Sequence, residues 1–162
     1  MQFLLLASCL VLAAGCASSQ VTADCPSRIA EVDIPESSSQ IAMRQGDMAW
    51  GPCPPVLPAE CQMAILEGDP RSESLFTVRF RTSAPFVLTP HSHPRHERVT
   101  ILEGRVGVGF GDELVRDEIS WFGPGDYYVN AKGSHHFVVV DAPALLQITG
   151  VGPWQVNYVD NE

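Results

Sequence analysis

The chain has 162 residues, 10 Lys and Arg against 19 Asp and Glu, and a formal net charge of −9. That length suits one domain burying roughly two-thirds of its unfolded surface. The acidic balance excludes a nucleic-acid partner and docking on an anionic membrane surface, both of which need clustered Lys and Arg.

The N-terminus comes first. Met1 to Gly15 is short, apolar and uncharged, and it ends in Leu12-Ala13-Ala14-Gly15-Cys16. An apolar core followed by small residues predicts a secretory signal over residues 1–16. The cysteine directly after Ala-Gly resembles a bacterial lipoprotein signal, although no Lys or Arg precedes the apolar run. That resemblance implies a lipidated Cys16 as the new N-terminus, and Ala17 after it resembles outer-membrane sorting. The expectation is an exported, periplasmic protein that meets the membrane only through Cys16. The alternative is an ordinary cleavable signal with an incidental cysteine.

Residues 17–48 are rich in Ser, Ala, Gln and acidic side chains, with one broken apolar stretch from Ile29 to Ile34. They read as a tether or arm. Export places Cys25, Cys53 and Cys61 in an oxidising compartment, where one pair can bridge and one thiol is left over. Every pairing is open. A bridge from Cys53 to Cys61 would close a Pro-rich loop and contribute roughly 2–3 kcal/mol.

From residue 49 to 162 the texture is β. Short β-prone runs occur at Gln62–Leu66, Phe76–Arg81, Phe86–Thr89, Arg98–Leu102, Arg105–Phe110, Tyr127–Asn130, Phe137–Val140, Leu145–Thr149 and Gln155–Val159, separated by turns rich in Gly, Pro and Asp. Phe76, Val78 and Phe80 alternate with polar residues, and Val106, Val108 and Phe110 with glycines or neighbours of glycines, as in strands with one buried face. The one helix-compatible piece is a turn around Asp112–Ser120. About nine strands at this spacing predict an all-β jelly roll in a single domain.

All five histidines fall in two stretches of that domain, His91-Ser92-His93-Pro94-Arg95-His96-Glu97 and Gly133-Ser134-His135-His136. Residues i and i+2 of a strand share a face, so His91 and His93 point together, with the barrel interior as their destination. Pro94 should interrupt that strand, Glu97 should open the next, and Gly104 should turn the following hairpin. The two strands are expected side by side, with carboxylate and imidazoles converging, and His136 joins from another run. His91, His93, His136 and Glu97 are thus the candidate ligands of one divalent transition metal (Fe, Mn, Ni, Cu or Zn), with coordination positions left open. His96 reads as an exposed turn residue. His135 either faces outward or orients His136. Gln147 is either a polar partner inside the barrel or a hydrogen-bonded amide, while Trp154, Phe110 and Tyr128 read as core or pocket wall. Lys132 reads as a solvated loop residue, with a substrate-carboxylate contact as the alternative.

The pattern His91-x-His93-x3-Glu97-x6-Gly104 resembles the first motif of the cupin superfamily, and Gly125, Gly133 and His136 resemble the second. The departures, Pro85, Ala131 and Val140, touch none of the four ligands. From about Trp50 to Tyr158 the chain is similar to small single-domain bacterial cupins, carrying Gly68-Asp69-Pro70, Pro90-His91-Ser92-His93-Pro94 and Gly152-Pro153-Trp154. The resemblance implies a cupin barrel, a homodimer, and a site for a small-molecule substrate or ligand. Three functions fit it. The favoured one is a metal-dependent oxidoreductase of the dioxygenase type, in which Glu97 also shuttles a proton. The second is a lyase or isomerase; cupin lyases usually carry Tyr two residues after the motif Glu, where this chain has Val99. The third is a non-catalytic metal- or ligand-binding module.

Overall fold

The computed structural model describes residues 40–83 and 85–159. The signal and lipidation readings at residues 1–16, Cys25, and the tether up to residue 39 lie outside the described residues. Eleven strands follow in chain order: β1 (Gly51–Pro52), β2 (Cys61–Glu67), β3 (Leu75–Thr82), β4 (Phe86–Ser92), β5 (Glu97–Glu103), β6 (Val106–Phe110), β7 (Ser120–Phe122), β8 (Tyr127–Asn130), β9 (His136–Val140), β10 (Ala144–Val151) and β11 (Asn157–Tyr158). They form two antiparallel sheets, ordered β1-β2-β3-β10-β5-β8 and β11-β4-β9-β6-β7. The expected jelly roll is the observed one. Among the described residues no helix is long and apolar enough to cross a membrane.

The core lies between the sheets. Phe76, Val78 and Phe80 of β3, Val99 and Ile101 of β5, Val106 and Val108 of β6, and Leu146 and Ile148 of β10 form one buried cluster. Their period of two places each set on the inner face of its strand. On the outer face of the first sheet, Arg79 donates from Nε to Gln147 at 3.2 Å and lies against the buried Met48 of the N-terminal arm. Gln147 is therefore an outer-face amide and does not enter the barrel.

The helix-compatible turn expected around Asp112–Ser120 is a 3₁₀ turn at Arg116–Glu118, followed by edge strand β7. Three other expectations need correction. β6 is buried on both faces, with Gly107 under Ile119 and Trp121 and Gly109 under the Phe137 ring. β4 and β5 are not neighbours. β4 pairs with β9 and β11, whereas β5 pairs with β10 and β8. The short Pro94–His96 connection crosses from one sheet to the other, so His91 and Glu97 meet across the barrel. Nor does Gly104 turn a hairpin: at φ +75 it makes a tight turn that carries the chain from β5 in one sheet to β6 in the other.

The bridge is Cys53–Cys61. It closes the loop carrying Val56 and Leu57, and Tyr158 of β11 donates its hydroxyl to the Val56 carbonyl at 2.7 Å.

Candidate metal centre

β4 and β9 deliver two of the three imidazoles as a cross-strand pair, His91 opposite His136. His93 follows just past the end of β4, held by Gly133, whose N–H donates to the His93 carbonyl at 2.9 Å. The ring centroids form a triangle, with His91 4.2 Å from His136 and 5.0 Å from His93, and His93 5.1 Å from His136. One nitrogen of each ring lies within 4.8 Å of the others, and all three residues are buried.

The hydrogen bonds decide how these rings point. Each Nδ1 sits against a backbone carbonyl: His91 on Thr89 at 2.8 Å, His93 on Gln155 at 2.6 Å and His136 on Ser134 at 3.1 Å. A carbonyl only accepts, so each Nδ1 carries the proton and each Nε2 of a neutral ring keeps a lone pair. Among the described residues, the buried Nε2 of His136 has no hydrogen-bond partner, and that of His93 has only the Glu97 carboxylate beside it at 3.3 Å. Buried ring nitrogens without partners are unfavourable unless something else satisfies them. A divalent transition ion does so with the ligand chemistry these atoms offer. The residues present fit such an ion.

Glu97 stands beside the triad. Its Oε2 is 3.3 Å from His93 Nε2, and it is buried at the start of β5. Both its oxygens are occupied: Trp154 Nε1 donates to Oε1 at 2.8 Å and Asn130 Nδ2 to Oε2 at 2.8 Å. It is not one of the three mutually close donors. Burial alone would raise its carboxyl, but the charge of His93 and the hydrogen bonds from His93, Asn130 and Trp154 outweigh burial and hold it at about 2. His93 shows the complement. Burial pushes it down, yet Glu97 and the Gln155 carbonyl leave it above the usual histidine value. His91 is driven to about 4, first by burial and then by His136. His136 is lowered, mainly by burial. Two imidazoles are thus neutral near pH 7, and the third is paired with a carboxylate.

Other candidates resolve plainly. His96 is exposed, and its Nδ1 accepts the Lys132 N–H at 3.0 Å, tying the two motif turns together. His135 faces outward against Asp112 and does not touch His136's ring nitrogens. Lys132 is exposed, and so is Phe110, which is not core. Trp154 is more than a wall: it stacks on His93 with centroids 5.6 Å apart and donates to Glu97. Asn130 carries no mark in the motifs. Its signal was a polar residue sharing parity with Tyr128 on a strand whose Val129 faces out.

A cavity of about 60 Å³ adjoins the triad, with Glu97, Trp154, Tyr128 and Leu57 among its walls. Tyr128 lies directly across from Val99. Burial and then Glu97 push its phenol well above the usual tyrosine value, so it stays protonated.

No protein-family model and no curated protein sequence matches the chain. Solved structures do. The polyketide cyclase RemF from Streptomyces resistomycificus is 18% identical over 75% of this chain and 86% of its own, with a TM-score of 0.62. An acetylacetone dioxygenase from Acinetobacter johnsonii is 15% identical over 77% of this chain and 80% of its own, with a TM-score of 0.57. An RmlC-like cupin from Shewanella frigidimarina is 15% identical, covering 70% and 91%, with a TM-score of 0.55. At these identities the likeness shows the fold: the domain is a jelly roll of the kind found in cupin proteins.

Proposed function

We propose that the chain is an exported, metal-dependent oxidoreductase of the dioxygenase type acting on a small molecule. The observation that carries this is the set of three buried imidazoles whose Nδ1 atoms are fixed by backbone carbonyls, which leaves three mutually close ring nitrogens beside a carboxylate and a cavity. His91, His93 and His136 would hold the ion, with Glu97 as the adjacent carboxylate. A divalent transition metal bound there supplies a Lewis-acidic, redox-capable centre with open positions.

The protein's own groups do the rest. Asn130 and Trp154 fix the Glu97 carboxylate in one orientation, ionised and against His93. The apolar walls exclude water, which strengthens every polar contact inside. Fold likeness extends to a protein named as a dioxygenase and another named as a cyclase, so it cannot choose between redox and non-redox chemistry. Tyr128 bears on that choice. It lies across from Val99, and Val99 occupies the position where cupin lyases usually carry Tyr. That departure favours the oxidoreductase over the lyase.

The reading includes a periplasmic location, a lipid anchor at Cys16 and a homodimer. The test is elemental analysis of the full chain purified from the cell envelope, with oxygen uptake measured on small oxygenated substrates. About one Fe, Mn or Ni per chain with uptake is expected. Stoichiometric Zn without uptake on any of them would overturn it in favour of a binding module.

A further inference from the structure

His91, His93 and His136 are at most 2% exposed and Glu97 is 5% exposed, so neither an ion nor a substrate reaches them until part of the wall moves. Among the described residues lining the adjoining cavity, all but three belong to strands, which ladder hydrogen bonds hold in place. The three are His93, Trp154 and Leu57. Two of them are fastened through the backbone: the His93 carbonyl accepts the Gly133 N–H at 2.9 Å, and the Trp154 N–H donates to the Pro70 carbonyl at 2.7 Å.

Leu57 is held differently. It sits on the 53–61 loop, whose ends join at the Cys53–Cys61 bridge beside the first sheet. Pro54, Pro55 and Pro58 bring no N–H to the stretch between, and the Leu57 N–H turns back to the Pro54 carbonyl at 2.9 Å. Among the described residues, one hydrogen bond ties the 54–59 stretch to the rest of the protein, from the Tyr158 hydroxyl to the Val56 carbonyl at 2.7 Å. The partly buried Leu57 side chain adds its packing on the core. Tyr158 belongs to β11, at the edge of the second sheet, while β1 and β2 lie at an edge of the first. The loop therefore spans the gap between two sheet edges. It touches down beside the site, since Tyr158 pairs with His91 across β11 and β4, with ring centroids 6.0 Å apart. A segment with so few ties is the part of the wall that opens at least cost.

We infer, resting on the reading of His91, His93 and His136 as the metal-holding site, that the 53–61 loop is a flap through which ion and substrate reach the triad. Its hinge is the disulfide and its latch is Tyr158. The bridge keeps the ends together while the middle swings, so opening uncovers the cavity without unravelling β2. Loading and release both pass through the open state. Affinity compares two closed states, so loosening the latch raises both rates by one factor and leaves affinity unchanged.

The test uses the full chain and Tyr158→Phe, which removes the latch and keeps the ring beside His91. Co(II) uptake by the metal-free protein is followed by its visible absorption, and release is followed into excess chelator. Both rates should rise about fivefold in Tyr158→Phe, the worth of one hydrogen bond, with an unchanged dissociation constant. Tyr127→Phe, at an exposed position of β8, should change neither. Unchanged rates in Tyr158→Phe overturn the flap. So does faster release with unchanged uptake, because Tyr158 would then be supporting His91 within the site. Labelling of the metal-free histidines with diethyl pyrocarbonate, read residue by residue, separates the flap from the metal reading. His91, His93 and His136 should label about fivefold faster in Tyr158→Phe, with the exposed His96 and His135 unchanged. A chain that takes up no ion but shows this labelling overturns the metal reading and leaves the flap standing.

Discussion

Trp154 donates its indole N–H to Glu97 Oε1 at 2.8 Å while its ring stacks on His93. A single side chain therefore fixes the carboxylate and one imidazole together. Trp154→Phe keeps most of the stacking surface and removes the donor. The buried Oε1 then lacks its partner, which costs about 1–3 kcal/mol of folding stability, and the loosened carboxylate should weaken metal binding about tenfold or more. Denaturant unfolding and chelator competition measure the two effects. Unchanged metal affinity with lowered stability would show that the indole serves the fold alone.

Metal loading should release a proton. Without a bound cation, burial disfavours the charged form of His93, but Glu97 overcomes this and raises its pKa above the usual 6.5. His91, at about 4, and His136, also lowered, are already neutral near pH 7. An ion needs the lone pair of His93, so it competes with one proton there and with none on the other two rings. Affinity should rise as pH climbs toward the raised His93 value, by about tenfold per pH unit below it, and flatten above it. Calorimetry in buffers of differing ionisation enthalpy should report at most one proton released per ion, the release growing as pH falls through the raised His93 value. Release of three would show that Glu97 does not set the charge of this cluster.

The triad was legible because strand parity and turn chemistry act locally. His91 and His93 share a face by the two-residue period, Pro94 and Gly104 mark the breaks, and the second stretch repeats the chemistry at His136. What could not be read is which strands are neighbours. Period-two alternation says that β4 and β5 each bury one face, and it is silent on whether they share a sheet. They face each other instead. Asn130 and Trp154 escaped for a related reason, since their link to Glu97 joins residues 33 and 57 positions away in sequence. β8 also inverts the usual pattern, burying Asn130 and exposing Val129. An inward polar residue signals a partner without naming it.

Removing the Cys53–Cys61 bridge should affect both stability and the site. It closes a short loop, and loop entropy assigns it about 2–3 kcal/mol. The same loop places Leu57 in the cavity wall and offers the Val56 carbonyl to Tyr158. Cys53→Ser with Cys61→Ser should lower the unfolding free energy by about that amount in non-reducing buffer, and should raise hydrogen exchange at residues 53–61 and 157–158 together. Exchange confined to the loop would mean that β11 is held by its pairing with β4 alone.

Gly109 tests the packing that backs the site. It lies on β6 opposite Phe137, the residue following His136, and a Cβ there would overlap the Phe137 ring. The ring cannot retreat, because Phe137 is fully buried. Gly109→Ala should therefore cost about 1–3 kcal/mol by overpacking, despite the usual gain from replacing a strand glycine. Because β9 carries both Phe137 and His136, the shift should reach the triad and lower metal affinity as well. Gly111→Ala, at a turn two residues on with open space around it, supplies the contrast: its φ of +119 strains any side chain locally, so stability falls while metal affinity is kept. Equal metal affinity in both variants would show that β9 holds His136 in place whatever happens to its neighbour.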